Sequence, residues 1–417
     1  MKRVIYLLAI AALFAACSSD DNGPGAPEIK EIPLNATEKE MAEVSPNFAI
    51  DLLQAVDATI ENNEKFVVSP LSASMALSMA MNGAQGETYN QMAEALSFGD
   101  YSLDEINSYN NKLLTGLVAL DNQAQIGIVN SLWLNNGFYT LAPYNNAVAK
   151  HYAATSETLE LSSDYARNRI NNWCNSNTNG LIPNYLEENL PSNVKLAIIN
   201  ALYFKCPWLH KFDKKNTKKD KFYAYDGTEQ EVDFMVMDDD IECRLKKIKD
   251  TPQKLGNLNM LSLYFGKNKA FCIDFILPDK EIGIDAFMEN FSGALLNKAY
   301  DNFETGVGRV PLRIPKLKIE FKEELMKAFM EMGITDAFDA AKADFGLLAD
   351  ENLVISKAQQ ANVFSIDENG GEAASVTNME DIATSNRSSF IINRPFLFFV
   401  REVKTNTILF AGKVAKM

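Results

Sequence analysis

The residue types that most often carry out chemistry in proteins are sparse in this chain. There are two histidines, His151 and His210, and no Walker, GxGxxG or HExxH pattern occurs. Acyl-transfer catalysis needs a nucleophile with a base beside it, and two distant histidines offer little for that purpose. The sequence therefore argues against an enzyme, and we expect neither a metal nor a cofactor.

The cysteines show no CxxC and no other short metal-type spacing. Beyond Cys17 they are Cys174, Cys206, Cys243 and Cys272. We interpret them as small buried apolar side chains, with a disulfide as the alternative.

The most unusual segment is DENGGEAASVTNME, at residues 367–380. An apolar segment precedes it at 353–366, and strand-like sequence follows at 395–414. Between them the residues are small or polar, and no proline occurs from Glu368 to Ser389. Every backbone N–H of this run is thus able to join a β-sheet, although the run resembles neither core nor a tight turn.

Length and composition indicate a globular protein with a large core. The chain has 417 residues, of which 47% are hydrophobic and 10% aromatic. Its net charge of −15 argues against nucleic acid as a partner and favours attraction of basic proteins.

The first residues read as a targeting segment. A cationic MKR start is followed by an apolar run at 4–16 that is too short to span a membrane, and then by Cys17. Small residues before this cysteine resemble a bacterial lipoprotein cleavage box, with Cys17 as the lipidated N-terminus. An ordinary secretory peptide cut near Ala16 is the alternative. We expect a lipoprotein signal peptide at 1–16, a flexible tether at 17–40 and one domain at 41–417, secreted by the Sec pathway and lipid-anchored to the outer membrane at the cell surface.

Helical patterns dominate the first half of the chain, and strand patterns dominate the second. Apolar spacing predicts helices over 38–61 and 322–334, a helical segment over 69–96 that Gly83 and Gly86 break, and a helix that ends in a turn within 165–186. Ser69 is the predicted N-cap of the segment over 69–96, with Pro70 in its first turn. Strands are predicted at 125–136, 195–208, 270–279 and 310–321. Helices and strands do not alternate regularly, which favours an α+β fold with large antiparallel sheets.

Several of these segments, in this order, resemble the serpin family across the whole mature domain. The matching stretches lie at 66–88, 170–182, 200–212, 310–321, 332–339, 343–345 and 395–414. The resemblance implies the serpin fold, with three β-sheets, about eight or nine helices and an exposed reactive-centre loop, here at about 368–394. It also implies a monomer that inhibits serine proteases through a covalent complex.

Residues 368–377 resemble the hinge of inhibitory serpins. The matching positions are Glu368, Gly370, Glu372, Ala373, Ala374, Ser375 and Thr377. Gly371 stands where the family usually has threonine or serine. Counting from Glu368 and from Pro395 in the family's register gives the same reactive bond, Thr384–Ser385.

The resemblance implies that the cut loop enters a sheet as a new strand and drags the bound protease with it. Residues of a strand alternate between its two faces. Counting back from Thr384, one face carries small residues and then Met379, and it suits burial except at Asp381, which lies near the far end of the inserted run. The residues of this face are Gly371, Ala373, Ser375, Thr377, Met379 and Asp381. The other face suits solvent and carries Glu372, Ala374, Val376, Asn378, Glu380 and Ile382.

The resemblance also implies that five further residues of this chain control the opening of that sheet. They are Ser69, Ser72, Asn200, Gln360 and Trp208. Gln360 replaces the family's histidine and has no titration near neutral pH. Cys206 replaces a family glycine.

Ile382, Ala383 and Thr384 precede the predicted reactive bond and are apolar or small and uncharged. Such a sequence suits the shallow apolar pocket of elastase-like or subtilisin-like proteases. A papain-like cysteine protease is an alternative target, and a shifted cut at Arg387 would suit trypsin-like proteases. A non-inhibitory serpin-fold binding protein is the competing class, supported by Gly371. The lysine-rich run at 210–222 reads as a solvated loop, with a polyanion site as the alternative.

Overall fold

The computed structural model describes most of the chain beyond the targeting segment. The described ranges are 30–61, 64–238, 241–248, 255–301, 307–308, 311–351, 353–371 and 390–417. Within these ranges, no helix combines the length and the apolar character that a membrane crossing requires.

Nine α-helices lie within the described residues. They are α1 (Ala36–Thr59), α2 (Pro70–Met81), α3 (Gly86–Ala95), α4 (Leu103–Leu117), α5 (Ala142–Tyr152), α6 (Asp164–Asn177), α7 (Ile284–Asn290), α8 (Gly293–Asp301) and α9 (Met326–Glu331). α2 begins as its sequence predicts: the Ser69 hydroxyl accepts from the Ser72 N–H, and Pro70 occupies the first turn. Its Met and Ala residues are almost all buried, so this face is core.

The first strands are β1 (Lys65–Val68), β2 (Gln125–Asn135), β3 (Thr155–Leu159), β4 (Leu196–Pro207), β5 (Lys218–Tyr223), β6 (Glu229–Met237), β7 (Ile241–Ile248), β8 (Leu258–Phe265) and β9 (Phe271–Leu277). The later strands are β10 (Val307–Gly308), β11 (Leu312–Pro315), β12 (Leu317–Glu324), β13 (Gln359–Asp367), β14 (Gly370–Gly371), β15 (Phe390–Ile391), β16 (Phe396–Glu402) and β17 (Ile408–Val414).

These strands form three sheets in the described part of the chain. A seven-stranded sheet has the order β1-β17-β16-β9-β8-β7-β10, and a four-stranded sheet has the order β15-β11-β6-β5. The third sheet has six strands in the order β12-β13-β14-β4-β2-β3. Most pairings are antiparallel, so the α+β class expected from the sequence is confirmed.

The six-stranded sheet consists of two parts that meet at one end only. β13 pairs with β12 along its whole length, and β4 pairs with β2 over ten positions. Between β13 and β4 lies only the two-residue strand β14. Positions 196–205 of β4 have no strand partner on the β13 side among the described residues. We call this space the gap.

Helix α2 lies beneath the gap and packs against β4. One large apolar cluster holds α2, the seven-stranded sheet and one face of β4 and β13 together, including Phe204, Phe364 and Ile366. A second, smaller cluster covers the opposite face around Trp133, Ile199 and Tyr185. The larger cluster thus forms the floor of the gap, on the side of α2.

Two predicted boundaries are wrong. The sequence predicts a flexible tether up to residue 40, but α1 begins at Ala36, and Ile32 is already buried in the core. The sequence predicts a helix over 322–334, but residues 322–324 continue β12, and α9 begins at Met326. Lys322, Glu323 and Glu324 pair with Ala361, Gln360 and Gln359 of β13, so strand pairing overrides the helical propensity of these residues. The helix then ends before Gly333, which has a positive φ of 90°, as the sequence indicates.

Candidate functional site

The hinge begins at the end of the gap where β14 joins the two parts of the sheet. After β13, the chain turns at Glu368 and Asn369, and Gly370 and Gly371 enter between the two halves of the sheet. Gly371 lies opposite Ile366 on one side and Cys206 on the other, and both pairings are antiparallel. Two residues of the hinge therefore already occupy the position of a central strand.

Gly370 is required at this turn by its surroundings. Its φ is +136°, a region that residues with a side chain rarely adopt. A Cβ atom there would lie 2.4 Å from the Cys206 carbonyl oxygen and 2.6 Å from Pro207 Cα. Both neighbours are backbone atoms that cannot rotate away. At Gly371, by contrast, a Cβ would lie 3.7 Å from the Phe204 ring, which is ordinary contact.

Glu368 fastens the hinge turn to two other parts of the chain. Its carboxylate accepts from the Thr217 hydroxyl at 2.7 Å and pairs with Lys316 at 3.0 Å. Its carbonyl oxygen accepts from the Phe212 N–H at 3.0 Å. Burial alone would raise the pKa of Glu368, but the hydrogen bonds and the Lys316 charge outweigh it, so this pKa lies below the ordinary value. The buried carboxylate is therefore ionised at neutral pH.

Trp208 lies beside the turn, as the family resemblance implies. Its indole N–H donates to the Asp367 carbonyl at 2.7 Å, and its backbone N–H donates to the Asn369 carbonyl at 2.9 Å. The indole also stacks on Phe265, with ring centroids 4.6 Å apart. Trp208 thus joins the end of β13 to the seven-stranded sheet.

On the β13 side of the gap, buried polar side chains tie the strand to the start of α2. Gln360 accepts from the Ser69 N–H and donates to the Ser69 carbonyl, each at 2.9 Å. Asn362 donates to Gln360 at 2.8 Å and to the Val67 carbonyl at 3.1 Å. Both hydrogen-bonding groups of the Gln360 amide are engaged, so glutamine can replace the family's histidine as a two-way partner.

On the β4 side, Asn200 belongs to a separate network. Its amide N–H donates to Asn130 at 2.6 Å, and Asn130 in turn donates to the Tyr152 carbonyl at 2.7 Å. The Oδ1 atom of Asn200 is buried, and no donor reaches it within the part of the chain that the structure describes. No hydrogen bond joins Asn200 to Gln360 across the gap in that part. The predicted cluster is thus split between the two halves of the sheet.

A cavity of about 100 Å³ lies between these two networks. β4, β13, α2 and α9 line it, with further residues from the segments that precede β13. The lining residues that bear on the argument are Ser72, Ala76, Leu196, Ile198, Asn200, Gln359 and Gln360. The cavity therefore lies in the part of the gap beyond β14, where the sheet has no central strand.

The two departures from the family pattern near the hinge lie opposite each other. Gly371 lacks the side chain that the family usually has, and Cys206 carries one where the family usually has glycine. The register pairs Gly371 directly with Cys206, which is fully buried. Side chains of directly paired residues share one face of a sheet, so the two departures concern one local space.

All four cysteines beyond residue 29 are buried free thiols, which agrees with the interpretation as small core residues. Burial raises the pKa of Cys174 to about 12 and that of Cys206 further, so neither is a reactive thiolate. Within the described residues, no group of acidic, histidine or cysteine side chains is arranged to hold a metal ion.

Several predicted site residues lie outside the described residues. They are Cys17, the hinge residues Glu372, Ala373, Ala374, Ser375 and Thr377, the specificity residues Ile382, Ala383 and Arg387, and the reactive bond Thr384–Ser385. Their roles, like those of the sheet-opening residues, stay predictions.

Two features of the site were not predicted from the sequence. Asn362 is the second polar residue on the buried face of β13, and the alternation of Gln360, Asn362 and Phe364 in an apolar strand was the available signal. The contacts of Glu368 with Thr217 and Lys316 join residues 151 and 52 positions away. No local pattern indicates them.

The fold defines a class of protein in which a gap in a β-sheet holds part of the chain itself as a short central strand. Here that strand is Gly370–Gly371, between β13 and β4. Residues 43–417 match the family model described as Serpin (serine protease inhibitor). The chain belongs to the serpin family.

Relatives and solved structures agree with this assignment. Serpin B3 of Homo sapiens is 28% identical over 393 residues, which cover 89% of this chain and 98% of that protein. The thermophilic serpin tengpin in its native state is 29% identical, with a TM-score of 0.80, and the match covers 92% of this chain and 96% of tengpin. Tengpin in its latent state gives a TM-score of 0.75 at 27% identity, covering 91% of this chain and 98% of that one.

Gly370→Ala should destabilise the protein, because the new methyl group meets fixed backbone atoms in a strained conformation. We expect a loss of about 2 kcal/mol in the free energy of unfolding, measured by denaturant titration. Gly371→Ala is the matched control and should change this free energy by less than about 0.5 kcal/mol. Equal effects of the two substitutions would contradict the described turn.

Glu368→Gln should remove a pH-dependent part of the stability. A carboxyl group whose pKa is lowered by folding stabilises the protein above its unfolded pKa, here 4.5, and this contribution disappears as pH falls through the lower folded value. We expect the wild type to exceed the variant by about 1 kcal/mol at pH 7. The difference should shrink below pH 4.5, as urea titrations at several pH values would measure. A difference that is constant with pH would show that the Glu368 charge is not stabilised by folding.

Proposed function

We propose that this serpin inhibits serine proteases by trapping them as covalent acyl-enzymes. A protease would cut Thr384–Ser385, and the hinge would then continue into the gap as a full central strand. The observation that carries this proposal is the entry of Gly370 and Gly371 between β4 and β13, with unpaired strand positions beyond them.

The register of β14 indicates where each hinge residue would go. Gly370 lies opposite Pro207 and Gly371 opposite Cys206, so each step along the hinge moves one step back along β4. Continued in this way, Ala373 would lie between Phe204 and Phe364. The core-facing side of β14 is the side of Phe204. The small residues predicted to suit burial, Ala373, Ser375 and Thr377, would therefore face the core.

The same register would bring Thr377 between Asn200 and Gln360. Asn200 Oδ1 is buried without a donor in the described part of the chain, and a threonine hydroxyl can supply one. A buried acceptor without a partner costs about 1–3 kcal/mol, so satisfying it would favour insertion. The residue type at Thr377 thus suits the polar surroundings that it would meet.

The remaining driving force is ordinary sheet formation. Each ladder hydrogen bond contributes about 1 kcal/mol net, and insertion would add bonds on both sides of the new strand. Each inserted residue would draw the acylated protease about 3.3 Å along the sheet. Deacylation requires the oxyanion hole and catalytic residues of the protease to stay aligned, and a displacement of about 1 Å already slows such a step by roughly a hundredfold.

We propose an elastase-like or subtilisin-like target. Thr384 is small and uncharged, so a shallow apolar pocket would accept it, whereas a charge-reading pocket would lack its ion pair. The net charge of −15 would attract basic proteases, an effect that salt weakens.

We also propose that the mature protein is a lipoprotein, anchored through Cys17 and held away from the outer membrane by the segment between Cys17 and the folded domain. The support is the sequence of residues 1–17 alone. Metabolic labelling with a clickable fatty acid, compared between wild type and Cys17→Ala, would test it. Equal labelling of both forms would contradict the proposal.

Ala373→Arg should convert the inhibitor into a substrate. The arginine side chain would have to pass between Phe204 and Phe364, so insertion would slow and water would hydrolyse the acyl bond first. Incubation with an elastase-like protease followed by denaturing electrophoresis should give a band at the summed mass for the wild type and only cleaved serpin for the variant.

The matched control is Glu372→Arg, which places the same side chain at the neighbouring position on the solvent-facing side. This control should keep the high-mass band. If the wild type itself is cleaved without forming that band, the non-inhibitory class is the correct one.

Thr384→Arg should change the target preference. We expect the rate of inhibition of an elastase-like protease to fall at least tenfold and that of a trypsin-like protease to rise, because only the latter pocket offers a carboxylate to the arginine. Progress-curve kinetics with both proteases would measure these rates. An unchanged profile would mean that the reactive bond lies elsewhere, and Arg387→Ala would then test the shifted site.

A further inference from the structure

A second cavity lies apart from the gap, and we call it the lateral cavity. Its volume of about 490 Å³ is of the size that small-molecule sites have. Three parts of the chain line it: the end of β5 with the turn after it, the chain from the end of β9 into the first turn of α7, and the residues between β15 and β16. None of its lining residues also lines the cavity in the gap, so the two cavities are separate.

Two exposed tyrosines border the lateral cavity. Tyr223 is 44% exposed and Tyr225 is 51% exposed. Their backbone is fixed, because the Tyr223 N–H donates to the Asn393 carbonyl at 2.9 Å and the Tyr225 N–H donates to the Ala415 carbonyl at 3.0 Å. A tyrosine on a fixed backbone offers a large contact area at low entropic cost, and its ring stacks on other aromatic rings.

Aliphatic side chains supply much of the remaining lining. Pro278 and Ile284 are buried, and Ile282 and Pro395 are half-buried. Apolar surface of this kind favours a ligand that removes it from water. The lining therefore suits a ligand with an apolar body.

Arg394 has no ion-pair partner within the part of the chain that the structure describes. Its Nε and Nη2 atoms both donate to the Pro278 carbonyl, at 3.3 and 3.1 Å. Its Nη1 atom donates to no described residue. Burial lowers the pKa of Arg394, and the negative charge of Asp279 offsets only part of this effect. An anion beside Nη1 would therefore form a charge-assisted hydrogen bond with a cation that needs one.

The two carboxylates that line the lateral cavity are engaged by other groups. Asp279 accepts from the backbone N–H of Asn257 at 2.7 Å and from the side-chain amide of Asn257 at 2.9 Å. Asp285 pairs with Lys413 at 2.8 Å. Lys280 is exposed and pairs with no carboxylate among the described residues. The cations of the cavity are thus more available to a ligand than its carboxylates are.

We propose that the lateral cavity binds a small aromatic carboxylate. The aromatic ring would stack on Tyr223 or Tyr225, and the carboxylate would accept from Arg394, since a guanidinium matches the planar shape of a carboxylate. A ligand with a single negative charge is favoured over a phosphate dianion, because Asp279 and Asp285 would repel the second charge at close range. This inference does not depend on the proposed protease inhibition.

Calorimetric titration of the full-length protein with three probes of similar shape tests the ligand class. We expect β-naphthoate to bind with a dissociation constant on the order of 0.1 mM, as its small size allows. β-Naphthamide lacks the charge and should bind about tenfold more weakly. β-Naphthylmethylammonium carries the opposite charge and should not bind. No binding of β-naphthoate, or equal affinities for β-naphthoate and β-naphthamide, would overturn the proposal.

Substitutions test the location of the site. Tyr225→Ala should weaken β-naphthoate binding about fivefold through the loss of ring stacking. The matched control is Tyr165→Ala, which removes a tyrosine of α6 that is 67% exposed and lies outside the lateral cavity, and it should change the affinity less than twofold.

Arg394→Gln should abolish the preference for β-naphthoate over β-naphthamide while the affinity for β-naphthamide stays unchanged. The β-naphthamide affinity thus reports whether the cavity itself is intact in this variant. Equal weakening by the two tyrosine substitutions, or an Arg394 variant that keeps the full preference for the carboxylate, would overturn the proposed site.

Discussion

The structure depends on a sheet whose central strand is missing over most of its length. Backbone N–H and C=O groups along the inner edges of β4 and β13 face a gap in which no strand of the described chain pairs with them. Unpaired edges of this kind are costly and prone to accept another strand. The described form therefore holds back free energy that strand insertion would release. Everything else at the site concerns how the gap is kept open and what enters it.

The two halves of the sheet are anchored to different elements of the fold, and this separate anchoring explains how the gap is maintained. Gln360 and Asn362 fix β13 to the Ser69 end of α2, while Asn200 fixes β4 to β2 through Asn130. Neither network bridges the gap, so neither must break completely before a strand enters. Gln360 does not titrate near neutral pH, unlike the histidine that the family usually has at this position. At the entrance, Glu368 is ionised and paired with Lys316, and the lowered pKa of Glu368 confines its response to acidic conditions.

Sequence reasoning reached the parts of the fold that local patterns specify. Ser69 and Pro70 predict the start of α2, and the apolar segment at 353–366 contains most of β13. The two faces of the hinge stay a prediction, because residues 372–389 lie outside the described residues. Sequence reasoning failed where pairing with a distant strand decides the outcome. Residues 322–324 have helix-forming side chains, yet β13 holds them in β12. Likewise, the contact between Glu368 and Thr217 joins chain segments that only the finished fold brings together.

Gly371 is better understood as half of a pair than as a defect of the hinge. Considered alone, it departs from the family's usual threonine or serine and supports a non-inhibitory protein. The structure places Cys206, the other departure, directly opposite it, so side-chain volume is missing on one strand and present on the adjacent one. A glycine also offers no bulk that would hinder entry beside Phe204. A hinge residue that hinders insertion is large or charged, and Gly371 is neither. The composition of this pair therefore favours a hinge able to move into the sheet.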